Sequence, residues 1–320
     1  MLAVQDLNVT FRTPAGEVAA VRDVSLTVAP GECLGVVGES GSGKSQLFLA
    51  CLGLLAPNAS VSGSARLDGV ELIGLSDRSL EQVRGARASM VFQDPMSALT
   101  PHMRIGEQLA EVLTTHRGLS RAESLERAQA ALSRVQIPEP AKRLRQYPHE
   151  LSGGMRQRVM IAMAVLCEPE LLIADEPTTA LDVTVQAQIL DLLRELTREL
   201  RTALVLITHD LGVVAGLANE VAVMYAGRVV EHGPVDRLLK DPSHPYTRGL
   251  LESMPDLAAG HDRLPLGIPG QPPDLGSLPR GCAFAERCAF SGARCRDERP
   301  TLAATGPATQ VACWYPRRPV

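Results

Sequence analysis

The sequence predicts an α/β fold in which helices cover both faces of a parallel sheet. The runs "CLGVVGE" (33–39), "LLIAD" (171–175) and "ALVLIT" (203–208) have the length and apolar composition of buried strands. Residues 183–200 instead repeat apolar side chains at the period of a helix, on Val185, Ile189, Leu192, Leu193, Leu196 and Leu200. Strands that alternate with helices are typical of parallel sheets.

Three further elements follow from other segments of the chain. Residues of about 95–165 read as a mainly helical insertion. Within it "SRAESLERAQAALSRVQI" has an apolar helical stripe of Leu125, Ala128, Leu132 and Val135. The segment "EVAVMYAGRVVEHG" predicts a hairpin that turns at Ala226-Gly227. Six prolines fall between Pro255 and Pro279, which predicts a loop-rich extension over 255–320 after a core domain over 1–254.

Composition places the chain among cytosolic globular proteins. Its 320 residues are 45% hydrophobic and carry a net charge of −4. The chain therefore lacks the excess of basic residues that would indicate nucleic-acid binding. The first twenty residues lack the apolar core of a signal peptide. Asp210 and Glu220 interrupt the most apolar long stretch, which therefore does not resemble a bilayer span. Seven cysteines in a reducing compartment are not expected to form disulfides.

The segment "GESGSGKS" (38–45) fits the phosphate-binding pattern G-x-x-x-x-G-K-[ST], between a predicted strand and the helical run "QLFLACLGLL". Its backbone amides and the helix N-terminus can bind phosphates. Lys44 would reach the outer phosphates and the Ser45 hydroxyl would ligate Mg²⁺. A glycine-rich turn that binds nothing is the alternative. The expected nucleotide-binding residues here are Gly38, Ser40, Gly41, Ser42, Gly43, Lys44, Ser45 and Gln46.

Two other motifs add chemistry to this loop. The strand "LLIAD" ends in Asp175, which can hold Mg²⁺, and Glu176, which can polarise the water that attacks a γ-phosphate. In "LSGGMRQR" (151–158), Ser152 with the amides of Gly153 and Gly154 would form a second anion cradle at a helix start. Two cradles separated by a helical insertion make sense if two such chains pair head to tail, each covering the other's nucleotide.

The order of these motifs resembles the ATP-binding subunits of ABC transporters, from about residue 3 to the end of the chain. The series is "GESGSGKS", "VFQDP", "LSGGMRQR", "LLIADEP", "TALD" (179–182) and "LITHD" (206–210). The tail segments "HPYTRGLL" (244–251) and "PGQPPDL" resemble the ATPases of peptide and nickel importers, and other stretches are most similar to oligopeptide-permease ATPases. The resemblance implies an ABC ATPase core with a parallel sheet, an antiparallel β subdomain and a helical insertion.

The resemblance also implies roles for single residues. Phe11 would stack on adenine, although a buried strand phenylalanine gives the same pattern. Gln93 would sense Mg²⁺ and the attacking water, and His209 would act as a switch at the γ-phosphate. Asp182 would cross the dimer interface. Met155 departs from the glutamine that many members have there, with little effect expected because backbone amides bind the anion.

The cysteines fall into two groups. Cys33, Cys51 and Cys167 lie in apolar runs and are expected in the core. The tail set is spaced C-x₅-C-x₆-C-x₁₇-C, comprising Cys282, Cys288, Cys295 and Cys313. Irregular spacing suits a [4Fe–4S] cluster, which the subfamily resemblance also implies; Zn²⁺ or unligated thiols are the alternatives.

The resulting functional expectation is an ATPase that uses ATP and Mg²⁺ to drive import of oligopeptides or dipeptides. Its implied partners are a second ABC ATPase subunit, two transmembrane permease subunits and an extracytoplasmic peptide-binding protein. The chain would then lie peripherally on the cytoplasmic face of the membrane and bind no nucleic acid. A nickel or other metal importer is the first alternative, and a soluble non-transport ABC ATPase is the second. Truncation before Pro255 is expected to spare ATP binding, because no phosphate motif lies in the extension, and to impair transport or assembly.

Overall fold

The computed structural model describes residues 1–179, 181–254, 267–306 and 308–316. The strands in chain order are β1 (Leu2–Thr13), β2 (Gly16–Val28), β3 (Cys33–Val37), β4 (Ala59–Leu67), β5 (Val70–Glu71), β6 (Ala88–Val91), β7 (Leu171–Asp175), β8 (Ala203–Thr208), β9 (Glu220–Tyr225), β10 (Arg228–Pro234), β11 (Ala303–Gly306) and β12 (Thr309–Val311).

The α-helices in chain order are α1 (Lys44–Cys51), α2 (Asp77–Glu81), α3 (Pro95–Ala98), α4 (Ile105–Arg117), α5 (Arg121–Arg134), α6 (Pro140–Arg143), α7 (Gly153–Val165), α8 (Val183–Leu200), α9 (Leu211–Ala215), α10 (Val235–Lys240), α11 (Pro245–Glu252) and α12 (Ala293–Asp297). A short 3₁₀ helix lies at Pro148–Glu150. Across the parts of the chain that the structure describes, no helix has the length and apolar character needed to cross a membrane.

The chain divides into two compact units, which we describe separately. The first unit comprises mainly Gly74–Leu206. Its strands follow the order β8-β7-β6, with β6 and β7 parallel. The residues from 95 to 165 form helices α3 to α7 and the 3₁₀ turn, which agrees with the helical pattern in the sequence.

Helix α8 shows how the apolar pattern becomes core in this unit. Ile189, Leu192, Leu193 and Leu196 are each 2% exposed or less, and burying such a side chain contributes about 1.5–3 kcal/mol. The helix begins where the Asp182 side chain accepts the backbone N–H of the third helical residue. That hydrogen bond satisfies a donor that would otherwise lack an intrahelical partner.

The second unit comprises mainly Ala3–Thr27, Cys33–Ile73 and Ile207–Val320. One sheet has the order β2-β1-β4-β5, with β4 and β5 antiparallel. A second run of strands has the order β11-β12-β10-β9-β3, in which β3 and β9 are parallel and the remaining neighbours antiparallel. The α/β class with parallel and antiparallel portions is thus confirmed. The predicted hairpin is also present, with Arg228 opposite Tyr225. The predicted domain boundary at residue 254 stays a prediction.

Candidate functional site

The loop 38–45 connects β3 to α1 with a backbone that only glycine adopts easily. Gly41 and Gly43 have φ values of 78° and 96°, in the left-handed region that side chains disfavour. A Cβ atom on Gly43 would lie 2.2 Å from the carbonyl oxygen of Ala20. The loop therefore passes too close to β2 for any larger residue. The glycines of the motif fix both its turn and its packing.

Lys44 is held inside this loop at the start of α1. Its ammonium group donates hydrogen bonds to the carbonyl oxygens of Gly38 at 2.7 Å and Glu39 at 2.9 Å. The side chain is only 5% exposed. Ser45, half-buried, follows in the first helical turn. A fixed cation and a helix N-terminus in one loop form a site suited to phosphate.

A cavity of about 380 Å³ adjoins the loop and contains the predicted adenine-stacking residue. Phe11 lines it together with Gly41, Gly43 and Gln46. Phe11 therefore lies beside the loop, in a cavity large enough for a small ligand, and its stacking on adenine stays a prediction. Leu275 of the extension lines the same cavity, a contribution that the sequence alone did not indicate.

Glu39, the second residue of the loop motif, is bound by Arg287 of the extension and by Tyr246 of α11. Arg287 donates to its carboxylate through Nη1 at 2.6 Å and Nη2 at 2.9 Å. The hydroxyl of Tyr246 accepts the backbone N–H of Glu39 at 2.8 Å. The Arg287 side chain is 6% exposed, and its hydrogen bonds to Glu39 raise the pKa of the guanidinium. This fork-to-fork geometry is the strongest form of carboxylate recognition by arginine.

Aromatic rings support that contact. Phe284 packs edge-on against Tyr225 and Tyr246, with ring centroids 5.3 Å and 5.4 Å apart. Arg287 lies over the rings of Tyr225 and Phe284. Arg287 of the extension therefore contacts the phosphate loop, and the expectation that removal of the extension spares ATP binding stays a prediction. The segment "HPYTRGLL" contains Tyr246. In the sequence it indicated the subfamily, but it did not indicate that Tyr246 contacts the phosphate loop.

In the first unit, β7 delivers two carboxylates at its carboxyl end. Asp175 is buried and Glu176 follows it with a φ of 44°, in the left-handed region. The Glu176 carboxylate accepts hydrogen bonds from Gln93 Nε2 at 3.1 Å and Thr179 Oγ1 at 2.8 Å. Gln93 and Glu176, predicted separately, thus lie together. Thr179 was not predicted as a site residue, although it lies in the quoted motif "TALD".

The start of α7 presents the second predicted anion cradle. Ser152 and Gly153 are exposed and Gly154 is half-buried. The Ser152 hydroxyl accepts the backbone N–H of Met155 and so caps the helix. A Cβ atom on Gly154 would lie 3.0 Å from Val185 Cγ1 of α8. Glycine at this position therefore keeps α7 and α8 close while leaving amides accessible.

Two further predicted residues lie at strand or helix ends. Asp182 is exposed and its carboxylate accepts the backbone N–H of Val185 at 3.0 Å. His209 is exposed directly after β8, and Asp210 then caps α9. Asp182 therefore has a structural role within its own chain besides the predicted one at a dimer interface.

The four extension cysteines converge on one small cavity. Cys282, Cys288, Cys295 and Cys313 all line a cavity of about 20 Å³, which has room for roughly one water molecule. Burial raises the pKa of the thiols of Cys282 and Cys288, and raises that of Cys313 to about 11. The charges of neighbouring cysteines add to these shifts.

Convergence of the thiols does not amount to a formed ligand set. Within the described ranges, no group of three or more His, Cys, Asp or Glu side chains is arranged to hold a metal ion. The described residues therefore do not show the expected [4Fe–4S] or Zn²⁺ site. The core cysteines Cys33, Cys51 and Cys167 are buried, as predicted.

Comparison with known proteins identifies the class. A model of the ABC transporter family matches residues 21–179, and a model of the oligopeptide/dipeptide transporter C-terminal region matches residues 230–295. A solved structure of the ATP-binding cassette MJ0796, a dimer in a post-hydrolysis state bound to ADP and Pi, has a TM-score of 0.66 at 29% identity. The alignment covers 73% of this chain and 99% of that one. Fold and loop together make this chain an ABC-type ATPase.

Relatives define the family more narrowly. The chain is 54% identical over 316 residues to the oligopeptide transport ATP-binding protein OppD of Salmonella typhimurium, covering 99% of this chain and 94% of that protein. It is 53% identical to OppD of Haemophilus influenzae, covering 92% and 91%. The chain therefore belongs to the OppD family of oligopeptide transport ATP-binding proteins.

Proposed function

We propose that the chain is the ATP-hydrolysing subunit of a peptide importer. The observation that carries this proposal is the near full-length similarity to OppD, which includes the matched oligopeptide/dipeptide C-terminal region. A cassette that only shared ATP chemistry would not need that region. Binding of the Glu39 carboxylate by Arg287 of the extension supports a region that acts on the ATP site.

The residues have the following proposed roles. Lys44 and the amides of the loop 38–45 bind the phosphates, and Phe11 stacks on adenine. Ser45, Asp175 and Gln93 would hold Mg²⁺, which would supply positive charge to the phosphates.

Hydrolysis is proposed to depend on Glu176 and its neighbours. The Glu176 carboxylate orients the attacking water and accepts its proton, while Gln93 and Thr179 fix the position of that carboxylate. His209 contacts the γ-phosphate. Phosphoryl transfer needs mainly such positioning and charge stabilisation.

The proposed assembly is a head-to-tail pair of ATPase subunits on two transmembrane permease subunits, at the cytoplasmic face of the membrane. In it, Ser152, Gly153 and Gly154 of one chain cover the nucleotide of the other, and Asp182 lies at the interface. The dimeric state of the similar cassette MJ0796 supports the pairing. An extracytoplasmic peptide-binding protein would deliver the substrate.

Transport by the reconstituted complex tests this function. The chain is assembled with its permease subunits, partner ATPase and binding protein in vesicles, and uptake of a labelled tripeptide and of labelled Ni²⁺ is followed with and without ATP. We expect ATP-dependent peptide uptake and no Ni²⁺ uptake. Uptake of Ni²⁺ without peptide uptake would replace the peptide importer with a metal importer. ATP hydrolysis that is unaffected by the permease would favour a non-transport ATPase.

We also propose that the four extension cysteines hold a [4Fe–4S] cluster, with Zn²⁺ as the alternative. Their convergence on one cavity supports this proposal. Metal binding would require the thiols to lose their protons and the cavity to expand. The binding free energy would then stabilise a segment whose proline content limits its own core.

Anaerobic purification tests the cluster. We expect brown protein with broad visible absorbance and about four irons per chain. Replacement of Cys288 by Ser should remove the colour and increase proteolysis after Leu278. Substitution of the core cysteine Cys51 by Ala is the matched control and should keep the iron. Zinc without iron or labile sulfide would identify the site as a zinc site.

A further inference from the structure

The second unit contains a cavity of about 420 Å³ that none of the phosphate motifs reaches. It lies between β2, β10 and the extension, and three arginines line it: Arg22, Arg228 and Arg299. Tyr225 and Phe284 form part of its apolar wall. We call this space the arginine cavity. Its volume is typical of sites for small molecules.

The arginines outnumber the carboxylates that face them. Asp23 lines the cavity and pairs with Arg228, and its distance to Arg299 Nη2 is 3.9 Å. Asp6 also lines the cavity, where its carboxylate accepts a hydrogen bond from Ser25. Three cations therefore face two carboxylates, and the lining keeps one positive charge in excess.

Arg22 is the arginine of the cavity whose positive charge is least compensated by its surroundings. Its Nη2 donates to the backbone carbonyl of Ala226 at 2.7 Å, and the charge of Asp23 offsets only part of the repulsion from Arg228 and Arg299. Burial, with the neighbouring charges of Arg228 and Arg299, lowers the pKa of Arg22 to about 10. An anion close to such a guanidinium would stabilise its charged form.

Two donors in the lining have no acceptor. The Nε–H groups of Arg22 and Arg228 are buried, and neither finds a hydrogen-bond partner within the described ranges. Buried donors without an acceptor are rare in folded proteins, and many of them face an ion or a water molecule. The two arginines are therefore incompletely hydrogen-bonded, in a lining that also carries an excess positive charge.

We propose that the arginine cavity binds a small molecule through a phosphate or carboxylate group. The oxyanion would pair with the guanidinium groups of Arg22 and Arg228, whose forked geometry suits phosphate and carboxylate groups. Tyr225 and Phe284 would contact the remainder of the molecule. Phe284 and Cys282 also line the cysteine cavity. A ligand here would therefore contact the same extension segment that binds the phosphate loop.

Equilibrium dialysis with radiolabelled inorganic phosphate tests the proposal. The protein is first saturated with a non-hydrolysable ATP analogue, so that the phosphate loop is filled. We expect about one phosphate per chain with a dissociation constant of about 1 mM. Substitution of Arg22 or Arg228 by Gln should weaken this binding about tenfold. The exposed Arg12→Gln is the matched control and should leave it unchanged.

A third variant and a competition experiment complete the test. Arg299→Gln changes a half-exposed side chain, so the variant should fold, and it should weaken phosphate binding about threefold. Acetate at constant ionic strength is then used as a competitor. Displacement supports a general oxyanion site, and no displacement supports a site for phosphate groups. The proposal is overturned if wild-type protein binds less than about 0.1 phosphate per chain at about 10 mM, or if all three variants bind like wild type.

Discussion

Glu176 is the residue on which the proposed hydrolysis depends most directly. Its left-handed backbone and the two hydrogen bonds to its carboxylate hold it in one position. Conversion to Gln keeps the size and the acceptor oxygen but removes the charge needed to take a proton from water. We expect Glu176→Gln to lower turnover by about 100-fold or more, the usual contribution of a general base, and to leave ATP affinity within about twofold.

ATPase activity of the assembled complex and equilibrium ATP binding are the measurements for this prediction. Glu195→Gln, at an exposed position of α8, is the matched control. Turnover in Glu176→Gln equal to that of the control would remove Glu176 from the role of base.

At the scale of single residues, the sequence indicated that the loop follows a strand, that Asp175 and Glu176 lie at a strand end and that Gln93 belongs to the site; the structure has the loop after β3, the carboxylates at the end of β7 and Gln93 beside Glu176. Each of these belongs to a contiguous motif whose local backbone dictates its residues, such as Gly43 beside the Ala20 carbonyl. Arg287 and Leu275 escaped prediction because their partners lie more than two hundred residues away. A contact of that range leaves no periodicity or spacing in the sequence.

At the scale of elements, short buried strands were the most predictable features. The runs 171–175 and 203–208 became β7 and β8 with the expected bounds, because continuous burial requires continuous apolar sequence. Helix α1 is shorter than its apolar pattern "QLFLACLGLL". Gly53 follows it with a φ of 61°, and such a residue ends a helix whatever the apolar pattern beyond it.

Helix α11 provides a pH-dependent element. His244 caps its start, since Nδ1 accepts the backbone N–H of Tyr246 at 3.0 Å. Burial lowers the pKa of His244 from 6.5 to about 4. The unfolded chain therefore binds more protons than the folded chain between these values. The stabilising contribution of the neutral imidazole is complete above pH 6.5 and is lost as the pH falls towards 4.

We expect this histidine to lower the free energy of unfolding by about 2 kcal/mol between about pH 7 and about pH 4.5. His244→Asn retains a capping oxygen and should remove that part of the pH dependence, whatever its effect at pH 7. Urea unfolding at the two pH values measures both. An equal decrease in wild type and variant would assign the pH dependence to other groups. His102→Asn, at an exposed position, controls for the loss of a histidine.

At the scale of the whole molecule, the extension is the feature that the sequence explained least. Its composition correctly predicted loops, and its cysteines drew attention to metal chemistry. The structure adds that Arg287, next to Cys288, binds Glu39 of the phosphate loop. Because Arg287 and Cys288 are adjacent in the chain, we expect a rearrangement of the cysteine cavity to displace the side chain that contacts the phosphate loop.

Substitution of Arg287 measures that route. Arg287→Met leaves the half-buried Glu39 carboxylate without its partner, and such unpaired charges are costly. We expect ATP affinity to fall about tenfold, which corresponds to about 1.4 kcal/mol. Arg287→Lys should fall between wild type and Met, because an ammonium cannot reproduce the bidentate contact. Lys44→Ala removes the cation of the loop itself and should cause the largest loss of ATP affinity, with which the Arg287 variants can be compared.

The matched control for this test is Arg294→Met in the same extension. Arg294 pairs with Glu298 at 2.8 Å, but both side chains are at least half exposed, and such surface pairs contribute little. The double variant Arg287→Met with Glu39→Gln should recover part of the lost affinity, because it removes the unpaired carboxylate together with its partner. Equal ATP affinities for Arg287→Met and Arg294→Met would show that the contact holds the extension in place without acting on the phosphate loop.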